Sequence, residues 1–410
     1  MSFEAIRRLG SIGTLSQLGP PIAVDFGVSA LKVLQIAKGD PPSLVSAAFI
    51  PTPEELKGDP LGRLDFQSDA LSRIVRTGGF KGKRAVCALP SFMTTCKHVR
   101  VAKGDPASVN AQVAATLAQQ INAAPGSLVL RTVDVGEVER VGATGGKQSE
   151  VICIAAHRDG VRRLMDAIKL ARLEPVGMHS EFAATLRAFG DLAKAPVGGG
   201  ERTTLYLDIG CGSTRVLIAH EDTMVFARVL PLGGRALDEA IVSSRNMTME
   251  EATRERYAHA GAMPERGRLA EPGVTARTRA SGAIGDDALD EPTGLTGHVA
   301  CATLAPCGPD EPALNEAVEI LTDEVLMCLR YHESLFPTRK VSAIVFMGGE
   351  SRHAGLCQHL ARSLKLPAQV ADPLARIARS GKEPATGVNM KEAQPGWTVA
   401  LGLCLSPTDL

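Results

Sequence analysis

One short pattern occurs twice in this chain. Val24-Asp25-Phe26-Gly27-Val28-Ser29-Ala30-Leu31-Lys32 and Leu207-Asp208-Ile209-Gly210-Cys211-Gly212-Ser213-Thr214-Arg215 share one design. Each sets an Asp at a strand end, a Gly two residues on, small or hydroxyl residues next, and then a second strand. The two Asp residues lie 183 positions apart in a chain of 410. A unit repeated at half-chain spacing predicts a duplicated fold of the α/β class.

The residue types suit phosphate. A polyphosphate needs several backbone N–H donors converging on one point, and Gly27, Gly210 and Gly212 let the backbone approach closely. Ser29, Ser213 and Thr214 add hydroxyl donors, and Lys32 can reach a phosphate oxygen as a point charge. Asp25 and Asp208 would be repelled by phosphate. They are placed to hold Mg²⁺ through water or to orient an attacking water. A single Asp-x-Gly turn reads as an ordinary hairpin, but two in one chain carry more weight. A third segment joins them: Ile344–Met347 is an apolar strand that ends in Gly348-Gly349 before Glu350, where a flat ring such as adenine can approach.

Composition narrows the function classes. The chain has 45 basic and 45 acidic side chains, so its overall charge gives no electrostatic footprint for nucleic acid. Aromatic residues are 4% with one Trp, which argues against a base-stacking platform. The nine cysteines form no C-x-x-C pair and read as free thiols, and the nine histidines show no metal-ligand spacing. No apolar run approaches the ~18 residues of a membrane helix, and the first residues lack the apolar stretch of a secretory signal, so a cytoplasmic location is expected.

Along the chain, residues 1–20 read as an arm. Strands are expected at Ile22–Asp25, Ala30–Ile36 and Leu44–Ile50, then a turn-rich 51–60 and a helix at Gln67–Arg76. Residues 84–165 read as an inserted βαββα module, and Val197–Gly200 as a flexible joint. Three strands follow (Thr204–Asp208, Thr214–His220, Thr223–Pro231), then helices at Arg235–Arg245 and Thr248–Tyr257. Residues 261–312 hold 14 Gly or Pro residues and few large apolar ones, the composition of a long mobile loop. A periodic helix at Glu311–Tyr331 comes next.

These three glycine-bearing segments resemble the actin-like ATPase superfamily, a two-lobe fold of duplicated ribonuclease H-like domains. Within it the chain resembles the PilM family of type IV pilus assembly, with FtsA as a relative. The small module, Val151–Ala156, Arg228–Gly234 and Val399–Leu403 carry that likeness. The resemblance implies a first lobe of 21–83, 166–200 and 372–410, and a second of 201–260 and 313–371. It implies ATP with Mg²⁺ between the lobes, gripped by Gly27, Val28, Ser29 and Lys32 on one side. On the other side stand Gly210, Cys211, Gly212, Ser213, Thr214, Gly233, Gly234, Arg256, Gly348, Gly349 and Glu350. Asp25, Asp208 and Glu324 take the catalytic positions, with Asp25 and Asp208 holding the metal through water.

The implied partner is the N-terminal tail of a PilN-like inner-membrane protein, with self-association left open. The chain departs from the family's pattern at Val28, where a hydroxyl residue is usual. It also departs at Thr253 and Arg256, where Glu and Lys are usual. The expectation is a nucleotide-dependent scaffold with weak ATPase activity at most. The alternatives are a degenerate member without nucleotide, an FtsA-like membrane-associated filament protein, and a sugar kinase of the same superfamily, for which no catalytic Asp motif is evident.

Overall fold

A computed structural model describes residues 19–102, 104–124, 126–138, 148–193, 202–258, 295–298 and 312–408. The expected arm, but for its last two residues, and the expected joint at 197–200 lie outside them. So does most of the expected loop at 261–312.

The first lobe opens with β1 (Ile22–Phe26), β2 (Ala30–Ala37) and β3 (Ser43–Pro51), an antiparallel meander. Every residue of β1 is buried, as expected for a strand covered on both faces. Helices α1 (Glu54–Lys57) and α2 (Pro60–Thr77) follow. The second is longer than the periodicity predicts because it starts in the turn-rich segment. Asp59 caps it by accepting from Leu61 N–H, and Pro60 fills the first turn, where its missing N–H costs nothing. Strand β4 (Arg84–Leu89) then returns to the sheet and pairs in parallel with β1.

The inserted module is β5 (Thr94–Ala102), α3 (Pro106–Gln120), β6 (Leu128–Val138) and β7 (Gln148–His157), a three-stranded sheet ordered β5-β7-β6 under one helix. It is therefore smaller than the 84–165 expected from sequence. Strand β4 belongs to the first lobe's sheet. The helix α4 (Arg158–Leu170) buries Leu164 and Ile168 in the same core cluster as Leu71 and Ile74 of α2. Strand β8 (Glu174–Ser180) pairs in parallel with β4 and leads into α5 (Glu181–Ala193).

The second lobe repeats the plan. Strands β9 (Thr203–Ile209), β10 (Thr214–His220) and β11 (Thr223–Leu230) form the antiparallel meander, followed by α6 (Gly234–Arg245) and α7 (Met249–Ala258). Of the expected loop, Leu295–His298 forms β12, an edge strand. Helix α8 (Pro312–Leu335), β13 (Ala343–Met347), α9 (Ala354–Leu364) and β14 (Ala368–Ala371) complete the lobe. The two sheets run β15-β3-β2-β1-β4-β8 and β11-β10-β9-β13-β14-β12, with β15 being Ala385–Thr386. In both, a three-stranded meander is extended by two parallel strands from its first strand, so the duplication expected from the paired bends is present.

The chain then returns to the first lobe. Helix α10 (Thr398–Cys404) packs on α5 so closely that a Cβ on Gly402 would collide with the Ala184 carbonyl. The module, in turn, is tied to the second lobe. Glu150 on β7 is fully buried and meets His98 Nδ1 and Arg100 Nε of β5, each at 3.0 Å, while Tyr331 OH of α8 donates to it at 2.6 Å. Burial opposes the Glu150 charge, but these three partners hold its carboxyl below the usual range. Among the described residues, no helix is long and apolar enough to cross a membrane.

Candidate functional site

The two bends are built alike to the hydrogen bond. Gly27 N–H donates to the Ala30 carbonyl at 3.1 Å, and Gly210 N–H donates to the Ser213 carbonyl at 2.9 Å. They face each other across one cleft. A Cβ on Gly212 would lie 3.2 Å from Cγ2 of Val28, so the tip of one lobe's bend touches that of the other. Both bends line a narrow cleft of about 50 Å³ together with Asp25, Lys32, Ser91, Glu181, Asp208 and Arg215. A cavity of about 490 Å³ adjoins it and shares Ser29, Lys32, Cys211, Gly349 and Gly396. Tyr257, Glu350 and Trp397 are among its walls. That volume lies within the range of small-ligand sites, roughly 300–1,000 Å³.

Gly348 closes the floor. Its φ of +90° is open to glycine, and a Cβ there would collide with the Ile209 carbonyl and Oδ1 of Asp208. Other expected contacts stand behind the cleft. Thr214 is buried and donates its hydroxyl to the Leu232 carbonyl at 2.7 Å. Gly233 and Gly234 pack under the second bend, where Gly234 N–H donates to the Gly210 carbonyl and Arg235 N–H to the Cys211 carbonyl. The Arg256 side chain is 1% exposed and its guanidinium bonds Asp238 and Glu350, each at 2.6 Å, so it positions Glu350. Thr253 donates to the same Asp238 at 2.7 Å. Glu324 is not brought to the cleft at all. It sits on α8 and pairs with Arg228 of β11 at 3.0 Å.

The structure also supplies residues the sequence reading did not select. Arg215 stands directly opposite Asp208 in the β9–β10 register, as Lys32 stands opposite Asp25 in β1–β2. Arg215 bonds Asp208 at 2.5 Å and Glu181 at 2.9 Å, and Ser91 bridges it to Ser213. Burial works against the Arg215 charge, but Asp208 and Glu181 more than offset it and raise its pKa. Burial pushes the Glu181 carboxyl up to about 7; Arg215 opposes the shift, while Asp25 and Asp208 add to it. A signal for Arg215 was present, a cation seven residues after each Asp. Glu181 had none, because only the fold brings the start of α5 to the bends.

The cradle of glycines, hydroxyls and Lys32 fits a polyphosphate. Asp208 Oδ1 is buried without a hydrogen-bond partner among the described residues. Mg²⁺ held by Asp25 and Asp208 still fits less well, since each carboxylate also faces a cation, Lys32 at 3.4 Å and Arg215 at 2.5 Å. Among the described residues, no three His, Cys, Asp or Glu are grouped to hold a metal ion.

The family model for the type IV pilus assembly protein PilM matches residues 23–268. The chain belongs to the PilM family. A second model, for the cell division protein FtsA, matches residues 205–402. FtsA of Rhizobium meliloti (strain 1021) is 25% identical over 258 residues, 62% of this chain and 50% of that protein. The chain thus spans about half the length of this curated relative. The solved PilM–PilN type IV pilus biogenesis complex superposes with a TM-score of 0.67 at 21% identity, covering 94% of this chain and 98% of that one. This PilM-family chain therefore has the actin-like two-lobe fold. MreB5 of Spiroplasma citri bound to ADP is a weaker likeness, with a TM-score of 0.45, 13% identity and 94% of each chain covered.

Proposed function

We propose that this PilM-family chain is an ATP-binding scaffold at the cytoplasmic face of a type IV pilus or related inner-membrane assembly platform. The nucleotide's phosphates sit between the two glycine bends and its adenosine in the adjoining cavity. The bound nucleotide fixes the angle between the lobes, and that angle shapes a docking surface for the N-terminal tail of a PilN-like membrane protein.

The observation that carries this reading is the contact of Val28 with Gly212, which makes one cleft of two bends from different lobes. Scaffold function is favoured over phosphotransfer because Glu324 is turned away and the buried carboxylates at the cleft are engaged by cations. The Glu150 cluster links the module to α8, so a change of lobe angle is passed to the module.

The test is calorimetry of ATP binding, followed by binding of a synthetic PilN-like tail with and without ATP. The expectation is one ATP per chain and a tail affinity about tenfold higher with ATP, a coupling of about 1.4 kcal/mol. Tail affinity indifferent to ATP would overturn the scaffold reading.

A further inference from the structure

We propose that Arg215 takes the place of a divalent cation at this cleft, so that the chain holds a nucleoside triphosphate without metal. The inference rests on the nucleotide reading above and concerns how that site balances charge.

Three observations carry it. The first is position. Arg215 lies in the wall of the narrow cleft beside both bends, with a side chain only 13% exposed. Its guanidinium already spans two carboxylates, Asp208 of its own lobe at 2.5 Å and Glu181 of the first lobe at 2.9 Å. A second cation could meet Asp208 without breaking its ion pair only at Oδ1, which is buried without a hydrogen-bond partner among the described residues. There it would sit beside a fixed positive charge, in surroundings where charges are poorly screened.

The second is register. Lys32 holds the equivalent cross-strand position in the other lobe, 3.4 Å from Asp25. Each lobe thus brings its own cation to the carboxylate beside its bend. The opposed positions are a property of the duplicated hairpin.

The third is an unused donor. Arg215 Nε is buried and has no hydrogen-bond partner among the described residues. A buried N–H without an acceptor is costly, and a small shift of the side chain toward an entering phosphate oxygen would relieve that cost. Ser91, within 3.3 Å of Arg215 Nη1 and 3.0 Å of Ser213 Oγ, keeps the guanidinium against the second bend. A planar, permanently charged fork suits phosphate oxygens, and unlike Mg²⁺ it cannot be chelated away.

The deciding experiment is calorimetry of ATP binding to the full chain in Mg²⁺ buffer and in EDTA. The expected dissociation constants agree within about threefold, because the charge-assisted bonds come from the chain itself. A loss of about tenfold or more in EDTA would overturn the inference and leave the nucleotide reading standing. No binding in either buffer would overturn that reading, and the inference with it.

Arg215→Ala supplies the converse. It should make binding depend on Mg²⁺, while Arg215→Lys should keep most of the metal independence. Arg215→Ala that still binds as tightly as wild type in EDTA would remove Arg215 from the account. Should Arg215→Ala fail to fold, the magnesium content of the desalted wild-type complex with ATP decides. Well under one metal per chain is expected, and one per chain contradicts.

Discussion

Asp208 and Arg215 are directly opposed across the β9–β10 hairpin with their charges 2.5 Å apart, and Asp25 and Lys32 hold the same register in the other lobe. The duplication therefore extends beyond strand order to the charge pair beside each bend. In both lobes the glycine bend is the turn of a hairpin whose second strand returns a cation to the Asp.

Lys32 is the phosphate-side cation that is easier to remove. Lys32→Met should leave the fold intact and weaken ATP binding about tenfold, or about 1.4 kcal/mol, by loss of one charge-assisted contact. Pairing it with Asp25→Asn controls for the stranded carboxylate. Calorimetry beside a urea melt separates the two effects, and unchanged ATP affinity would remove Lys32 from the site.

Arg256 tests the support of Glu350. It is buried between Asp238 and Glu350, so Arg256→Met strands two carboxylates. The expected cost is about 3–5 kcal/mol in a urea melt. Arg256→Lys should recover little, since a point charge cannot span both partners as the fork does. A change within 1 kcal/mol, roughly the scale of an exposed pair, would contradict the burial argument.

Two neighbouring glycines should behave differently. Gly348 has φ +90° and no room for a Cβ, whereas a Cβ on Gly349 meets nothing within 4 Å. Gly348→Ala is expected to cost more than about 1 kcal/mol and to disturb the floor of the cleft. Gly349→Ala should fold normally. Equal melting temperatures for the two variants would show that the strain was misjudged.

His332 gives a pH dependence away from the site. It is fully buried, with neither ring nitrogen hydrogen-bonded among the described residues. Burial, with Arg339 nearby, pushes its pKa down to about 4 from the ordinary 6.5. The unfolded chain therefore takes up the proton first. The stability tied to a neutral His332 is complete above pH 6.5 and is lost as pH falls from there toward about 4, by about 2–3 kcal/mol. His332→Leu should flatten that part of the profile in urea melts at stepped pH. An identical slope in the variant would assign the loss to other groups.

Much of the fold was legible because its signals are local. Asp-x-Gly between two apolar runs specifies a hairpin wherever it occurs, and the half-chain spacing of two such units implies two lobes. What pairs at a distance was not legible. Strand β4 reads as part of the module because the next strands in sequence are the module's own, yet its partners are β1 and β8. Glu324 carries the right chemistry, but the turn of α8 directs it to Arg228. Glu181 looks like any acidic residue opening a helix until the fold sets it beside Arg215. Thr214 reads as a donor to phosphate, but the tight second bend spends its hydroxyl on Leu232.

The central claim is that bends from both lobes grip one triphosphate, and amide hydrogen exchange on the full chain with and without ATP tests it most directly. The account predicts that ATP slows exchange at 27–30 and at 210–214 together, saturating at one nucleotide per chain. Slowing confined to one of the two segments, or absent from both under saturating ATP, would contradict it.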